Sequence, residues 1–106
     1  RQPAESTEIR FKINDSDVQG YGQMVLDEVA EAAAKHEGWH IVKPNYEGIR
    51  VSCTNPDEKG WFLLRKSLHD PVLPLNIESE VNGGVANISR EILNILKPFK
   101  ELERKS

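Results

Sequence analysis

Apolar residues recur along this chain with two different spacings, and the order of those spacings leaves few ways to fold it. Ile9, Phe11 and Ile13 alternate with charged neighbours over residues 7–13. A period of two marks a strand with one dry and one wet face. From Gly20 to Glu37 the spacing becomes helical. Tyr21, Val25, Val29, Ala32 and Ala33 fall on one side, with Asp27, Glu28, Glu31 and Lys35 on the other. The cluster 14–17 offers turn and N-cap residues, and Gly38 suits a left-handed stop.

Period two then returns. Ile49, Val51 and Cys53 alternate over 48–54, and Asn55 to Gly60 form a polar hairpin loop. Residues 61–65 are a continuous apolar run ending in Arg65, and 66–71 are a short connector. Leu73, Leu75 and Ile77 define a strand over 72–79, in which Pro74 predicts an edge position or a bulge. Residues 39–47 leave a choice between a short strand at Trp39–Val42 and irregular chain, with a turn at Pro44-Asn45. After the turn at Asn82–Gly84, one helical stripe carries Val85, Ile88, Ile92, Ile95, Leu96, Phe99 and Leu102. Pro98 should end or kink it near Lys97.

The expected order is β-α-β-β-β-α. Each helix has a single apolar side, so both pack on one face of a mainly antiparallel, four-stranded sheet, an α+β two-layer sandwich. At 106 residues the chain is one domain, 1–106. It opens on Arg1, which suggests a processed protein or a domain excised from a longer chain.

Charge and composition narrow the function. A formal net charge of −3 lacks the basic footprint of a nucleic-acid binder. The apolar runs fall far short of the ~20 residues that cross a bilayer. The single cysteine excludes an internal disulfide framework and fits an intracellular protein, cytoplasmic or organellar. It alternates with a strand pattern, as a buried small hydrophobe does. His36, His40 and His69 have no partners at zinc-ligand spacing. Asp15, Asp17, Asp57 and Glu58 read as caps and solvated loop charges.

Chemistry gathers in the connector Arg65-Lys66-Ser67-Leu68-His69-Asp70-Pro71. A guanidinium is a planar fork suited to phosphate. Ser67 adds a hydroxyl, the backbone N–H groups of Leu68 and His69 could form an anion nest, and the His69 imidazole is a further donor. The same residues also suit an ordinary hairpin connector whose Arg65 pairs with Asp70 on the surface.

Read with its flanks, the connector resembles the C-terminal domain of α-D-phosphohexomutases, the family of phosphoglucomutase, phosphomannomutase and phosphoglucosamine mutase. Gly48-Ile49-Arg50-Val51 followed by Gly60-Trp61-Phe62-Leu63-Leu64-Arg65 looks like that family's paired strands. Arg65-x-Ser67-x-x-x-Pro71 looks like its R-P-S-G-T-E-P phosphate loop. Lys66, Leu68, His69 and Asp70 depart from the usual residues of that loop. The resemblance implies a TATA-box-binding-protein-like sandwich that clamps the non-reacting phosphate of a phosphosugar substrate through Arg65, Ser67, Leu68 and His69. It also implies a parent isomerase whose other domains supply a phosphoserine and a Mg²⁺ site, so that this domain is inert alone. An alternative is a diverged, non-catalytic binding module of the same fold, motivated by Leu68 and His69.

Overall fold

The computed structural model describes residues 3–42 and 48–105, so the turn expected at Pro44-Asn45 lies outside the described residues. The element order is β1 (Glu5–Ile13), α1 (Val18–Lys35), β2 (Trp39–Ile41), β3 (Gly48–Cys53), β4 (Gly60–Arg65), β5 (Val72–Ser79), α2 (Gly84–Leu96) and β6 (Leu102–Arg104). The strands form one antiparallel sheet in the order β2-β3-β4-β5-β1-β6. Both helices cover the same face. α1 packs on β1, β2 and β3, while α2 packs on β1, β4 and β5 and touches α1.

Alternation decides which side chains form the core. Ile9, Phe11 and Ile13 of β1, Val51 and Cys53 of β3, Phe62 and Leu64 of β4, and Leu73, Leu75 and Ile77 of β5 are buried. They meet Val25, Val29 and Ala33 from α1 and Ile88, Ile92 and Leu96 from α2. Trp39 joins them with its ring edge-on to Phe62, the centroids 5.1 Å apart. Arg50, Ser52, Trp61, Leu63 and Asn76 point to the opposite face, which carries no helix.

Four expectations need correction. The sheet has six strands rather than four, because β2 and β6 add three-residue edges. Leu102 belongs to β6, and α2 stops at Leu96 just before Pro98, so neither Phe99 nor Leu102 lies on the helix. Pro74 sits in an inner strand, opposite Arg10 of β1, rather than at an edge. It is tolerated because the β4–β5 ladder ends at Leu64↔Leu75, so that at Pro74 the strand is paired on one side only. Glu58, expected in solvent, is only 4% exposed. Its carboxylate accepts from Trp39 Nε1 at 3.0 Å and from Asn55 Nδ2 at 3.1 Å, which offsets the cost of its burial.

The helix starts differ in their caps. Asp17 caps α1 by accepting from the Gly20 N–H at 3.0 Å. Gly83, in the left-handed conformation at φ 83°, precedes α2 and offers no side chain. Glu5 of β1 fills that role from a distant part of the chain. Its carboxylate accepts from the Gly83 N–H at 2.9 Å and the Val85 N–H at 3.1 Å. Those two bonds hold its carboxyl below the ordinary value of 4.5. A lowered folded pKa means that the stabilisation is present above the unfolded value and is lost as pH falls through the folded one. The docking of α2 should therefore weaken progressively below about pH 4.5. In acid denaturation followed by circular dichroism, Glu5→Gln should show a smaller loss of stability below that pH than the parent chain.

Candidate functional site

The connector between β4 and β5 starts from a fixed point. Phe62 and Leu64 face the helices, so Trp61, Leu63 and Arg65 face the other way. Arg65 pairs with Gly48 of β3 and is half-buried. The approach is close. A side chain on Gly48 would place its Cβ 2.7 Å from both Arg65 Cβ and the Leu64 carbonyl oxygen. Glycine at 48 is thus what lets the Arg65 stem lie against β3. Among the described residues the Arg65 guanidinium has no hydrogen bond or ion pair. The surface pair with Asp70 is not formed.

The loop is closed at its base. Ser67 N–H donates to the Val72 carbonyl at 3.0 Å, and Val72 N–H donates to Asp70 at 2.8 Å. Ile13, at the end of β1, donates to the Pro71 carbonyl at 2.8 Å. Within the loop, the Ser67 hydroxyl oxygen accepts a long bond of 3.4 Å from the Asp70 N–H. A hydroxyl has one proton and two lone pairs, so accepting there leaves its proton for another acceptor. Among the described residues, the backbone N–H groups of Leu68 and His69 meet no acceptor. Both side chains are exposed, Leu68 to 70%.

Three of the sequence-derived site residues therefore bring unpartnered donors to one short loop at the rim of the sheet: Arg65, Ser67 and His69. Leu68 contributes its N–H and an exposed isobutyl group. This arrangement can take up an anion with several acceptor oxygens. A concavity of about 520 Å³ lies at the other end of β4, lined by Arg50, Ser52, Lys59 and Trp61 among others. The Arg50 guanidinium stacks 4.0 Å above the Trp61 ring there.

Other candidates are absorbed by the structure. Cys53 is buried, and that burial, reinforced by the nearby Glu58, pushes its thiol up to about 12. His36 stacks on Trp39 at 3.8 Å and contacts Glu91 at 3.2 Å. Among the described residues no group of three or more His, Cys, Asp or Glu side chains is placed to hold a metal ion. No described helix is long and apolar enough to cross a membrane. Sequence reasoning missed the contact of Lys66 with α1: its Nζ donates to Gln23 Oε1 at 2.9 Å. No local pattern signals a contact between residues so far apart in the chain.

No family model matches the sequence, and no curated protein matches it. The fold is similar to a solved structure of a phosphoglucomutase/phosphomannomutase family protein from Burkholderia thailandensis. That match has a TM-score of 0.65 and 25% sequence identity, and it covers 94% of this chain and 18% of that protein. The likeness of fold and the resemblance of the Gly48–Pro71 segment point to the same family. The chain is similar over most of its length to one part of that phosphoglucomutase/phosphomannomutase family protein, and it spans under a fifth of the neighbour's length.

Two substitutions test the local account. Gly48→Ala should cost about 1–3 kcal/mol in chemical denaturation, because the new methyl meets backbone that cannot give way. It should also move the Arg65 and Leu64 amide resonances most. In the folded protein, Cys53 should resist a thiol reagent at pH 8 and react fully once denaturant is added.

Proposed function

We propose that the chain is the C-terminal, substrate-phosphate-binding domain of a phosphoglucomutase/phosphomannomutase-type isomerase. The observation that carries this reading is that Arg65, Ser67, Leu68 and His69 place donors without a partner among the described residues along one short segment. The fold of the neighbour supports it, and so does the small share of that neighbour that the chain spans.

A phosphate ester carries about −1.5 to −2 charge near pH 7 and offers three acceptor oxygens. Arg65 presents a fork to two of them, and its stem is fixed by β3. Ser67 donates its hydroxyl proton, and the Leu68 and His69 amides add neutral donors at no charge-burial cost. These groups hold a phosphate without reacting with it. In the parent enzyme, such a grip on the non-reacting phosphate would orient the other end of the sugar for transfer. Closure of this domain over the substrate would also exclude water from the transferring group. The Mg²⁺ implied for the parent enzyme finds no group of three or more His, Cys, Asp or Glu side chains among the described residues. The phosphosugar and the other domains of the parent chain are the partners this reading requires. The domain by itself should turn over no substrate.

A second reading is a diverged binding module of the same fold, favoured by one observation. Leu68 exposes an apolar side chain at the tip of the loop, where a phosphate clamp gains nothing from it. A parent sequence with a phosphoserine loop and an aspartate-rich metal loop would decide for the enzyme.

The test is an amide NMR titration of the 106-residue chain with glucose 1-phosphate and with inorganic phosphate. One loop offers only part of a cleft, so Kd should be on the order of 1 mM. Saturable shifts should centre on residues 65–69 and vanish in Arg65→Ala. Absence of such shifts with both ligands, or shifts that persist in Arg65→Ala, would overturn the assignment of this loop.

A further inference from the structure

Arg65 is restrained by its sheet on one side only. The β4–β5 ladder ends at Leu64↔Leu75, so Arg65 has a ladder partner only on the β3 side. The next residue provides what is missing. Arg65 faces the helix-free side, and the Lys66 side chain runs to the helices, where it lies against α1. A Cβ built on Gly22 would lie 3.4 Å from Lys66 Cδ and 3.5 Å from Lys66 Cγ. The lysine stem therefore rests near the bare backbone of the helix. Gly22 is buried well inside α1, a position where glycine is a poor helix former. At those distances the stem is in ordinary van der Waals reach of the helix surface, and a methyl group at position 22 would also permit the contact.

The head group is held as well. Lys66 Nζ donates to Gln23 Oε1 at 2.9 Å. The Gln23 amide is itself oriented, since its Nε2 donates to Asp27 Oδ1 at 3.0 Å, one turn along the helix. With the amide nitrogen committed to Asp27, its oxygen is turned to Lys66. Lys66 lies between Arg65 and Ser67, so fixing it to α1 fixes the chain direction where the strand ends and the loop begins.

We propose that Lys66, held by Gln23 and seated at Gly22, is a positioning residue that aims Arg65 and Ser67 at their anion. The inference rests on the phosphate-binding reading of this loop. Lys66 acts through the backbone, and its ammonium group is not a ligand for the phosphate.

Two variants of the 106-residue chain, titrated with inorganic phosphate by amide NMR, test it. Lys66→Met keeps the stem and removes both the bond and a charge. Gln23→Leu, at an exposed helix site, removes the bond and leaves the net charge unchanged. Loss of one such bond should raise Kd roughly 2- to 10-fold in each variant, by a similar factor. Amide hydrogen exchange in the ligand-free state should quicken at Leu68 and His69 and stay unchanged in the core strands. If Lys66→Met weakens binding but Gln23→Leu does not, Lys66 acts through its charge and the positioning role is wrong. If Kd is unchanged in both, the contact is incidental and the inference fails while the phosphate reading stands. If the parent chain itself shows no shift with phosphate, the phosphate reading falls and the positioning role falls with it.

Discussion

The phase of β4 is the constraint on which both the fold and the site depend. Phe62 and Leu64 have no solvent exposure and belong to the strand packed under α2. Truncating a fully buried phenylalanine typically costs about 3–5 kcal/mol. A slip of one residue would turn Trp61, Leu63 and Arg65 inward and expose Phe62 and Leu64. It would also bring a guanidinium into an apolar interior that offers it no partner. The hydrophobic effect on two side chains thus sets the direction of a charged one. Arg65 reaches the rim of the helix-free face as a consequence of what lies beneath its neighbours.

The two ends of β4 are finished differently. At the Gly60 end, polar groups are matched to one another. The Glu58 carboxylate serves Trp39 and Asn55, the Ser79 hydroxyl donates to the Glu58 carbonyl, and the Thr54 N–H and hydroxyl both donate to the Gly38 carbonyl. Buried polar groups require such matching. This network ties the α1–β2 turn to the β3–β4 hairpin and to the end of β5. At the Arg65 end, the loop is closed at its base and its tip is left with donors that meet no acceptor among the described residues. An exposed donor can wait in water at little cost. One end therefore serves stability, and the other is available to a ligand.

Much of the fold was legible because its long elements repeat their pattern. Three strands alternate over several residues, β4 shows as a continuous apolar run, and α2 up to Leu96 keeps its stripe on the core. The three-residue β6 has too few positions for a period to appear, so Phe99 and Leu102 read as helix although Pro98 stops it. Pro74 misled because sequence cannot show where a neighbouring ladder ends. Glu58 looked like a loop charge because its partners, Trp39 and Asn55, are matched to it only by the fold. The connector's resemblance to a phosphate loop was carried by Arg65, Ser67 and Pro71 together with the flanking strands. Lys66 appeared there only as a departure from the family pattern, and its contact with Gln23 became visible once α1 was placed beside it.

The sequence by itself determined the dry sides of β1, β3, β5 and both helices, the α+β class and the donor-rich composition of the β4–β5 connector. Those follow from local periodicity and residue type, which need no knowledge of neighbours. Tertiary structure alone decided the order of the strands, the burial of Glu58, the capping of α2 by Glu5 and the anchoring of Lys66 on α1. Each of these joins residues far apart in the chain. Such contacts exist only after the hydrophobic faces have been buried against one another, because burial is non-directional and does not name its partners in advance.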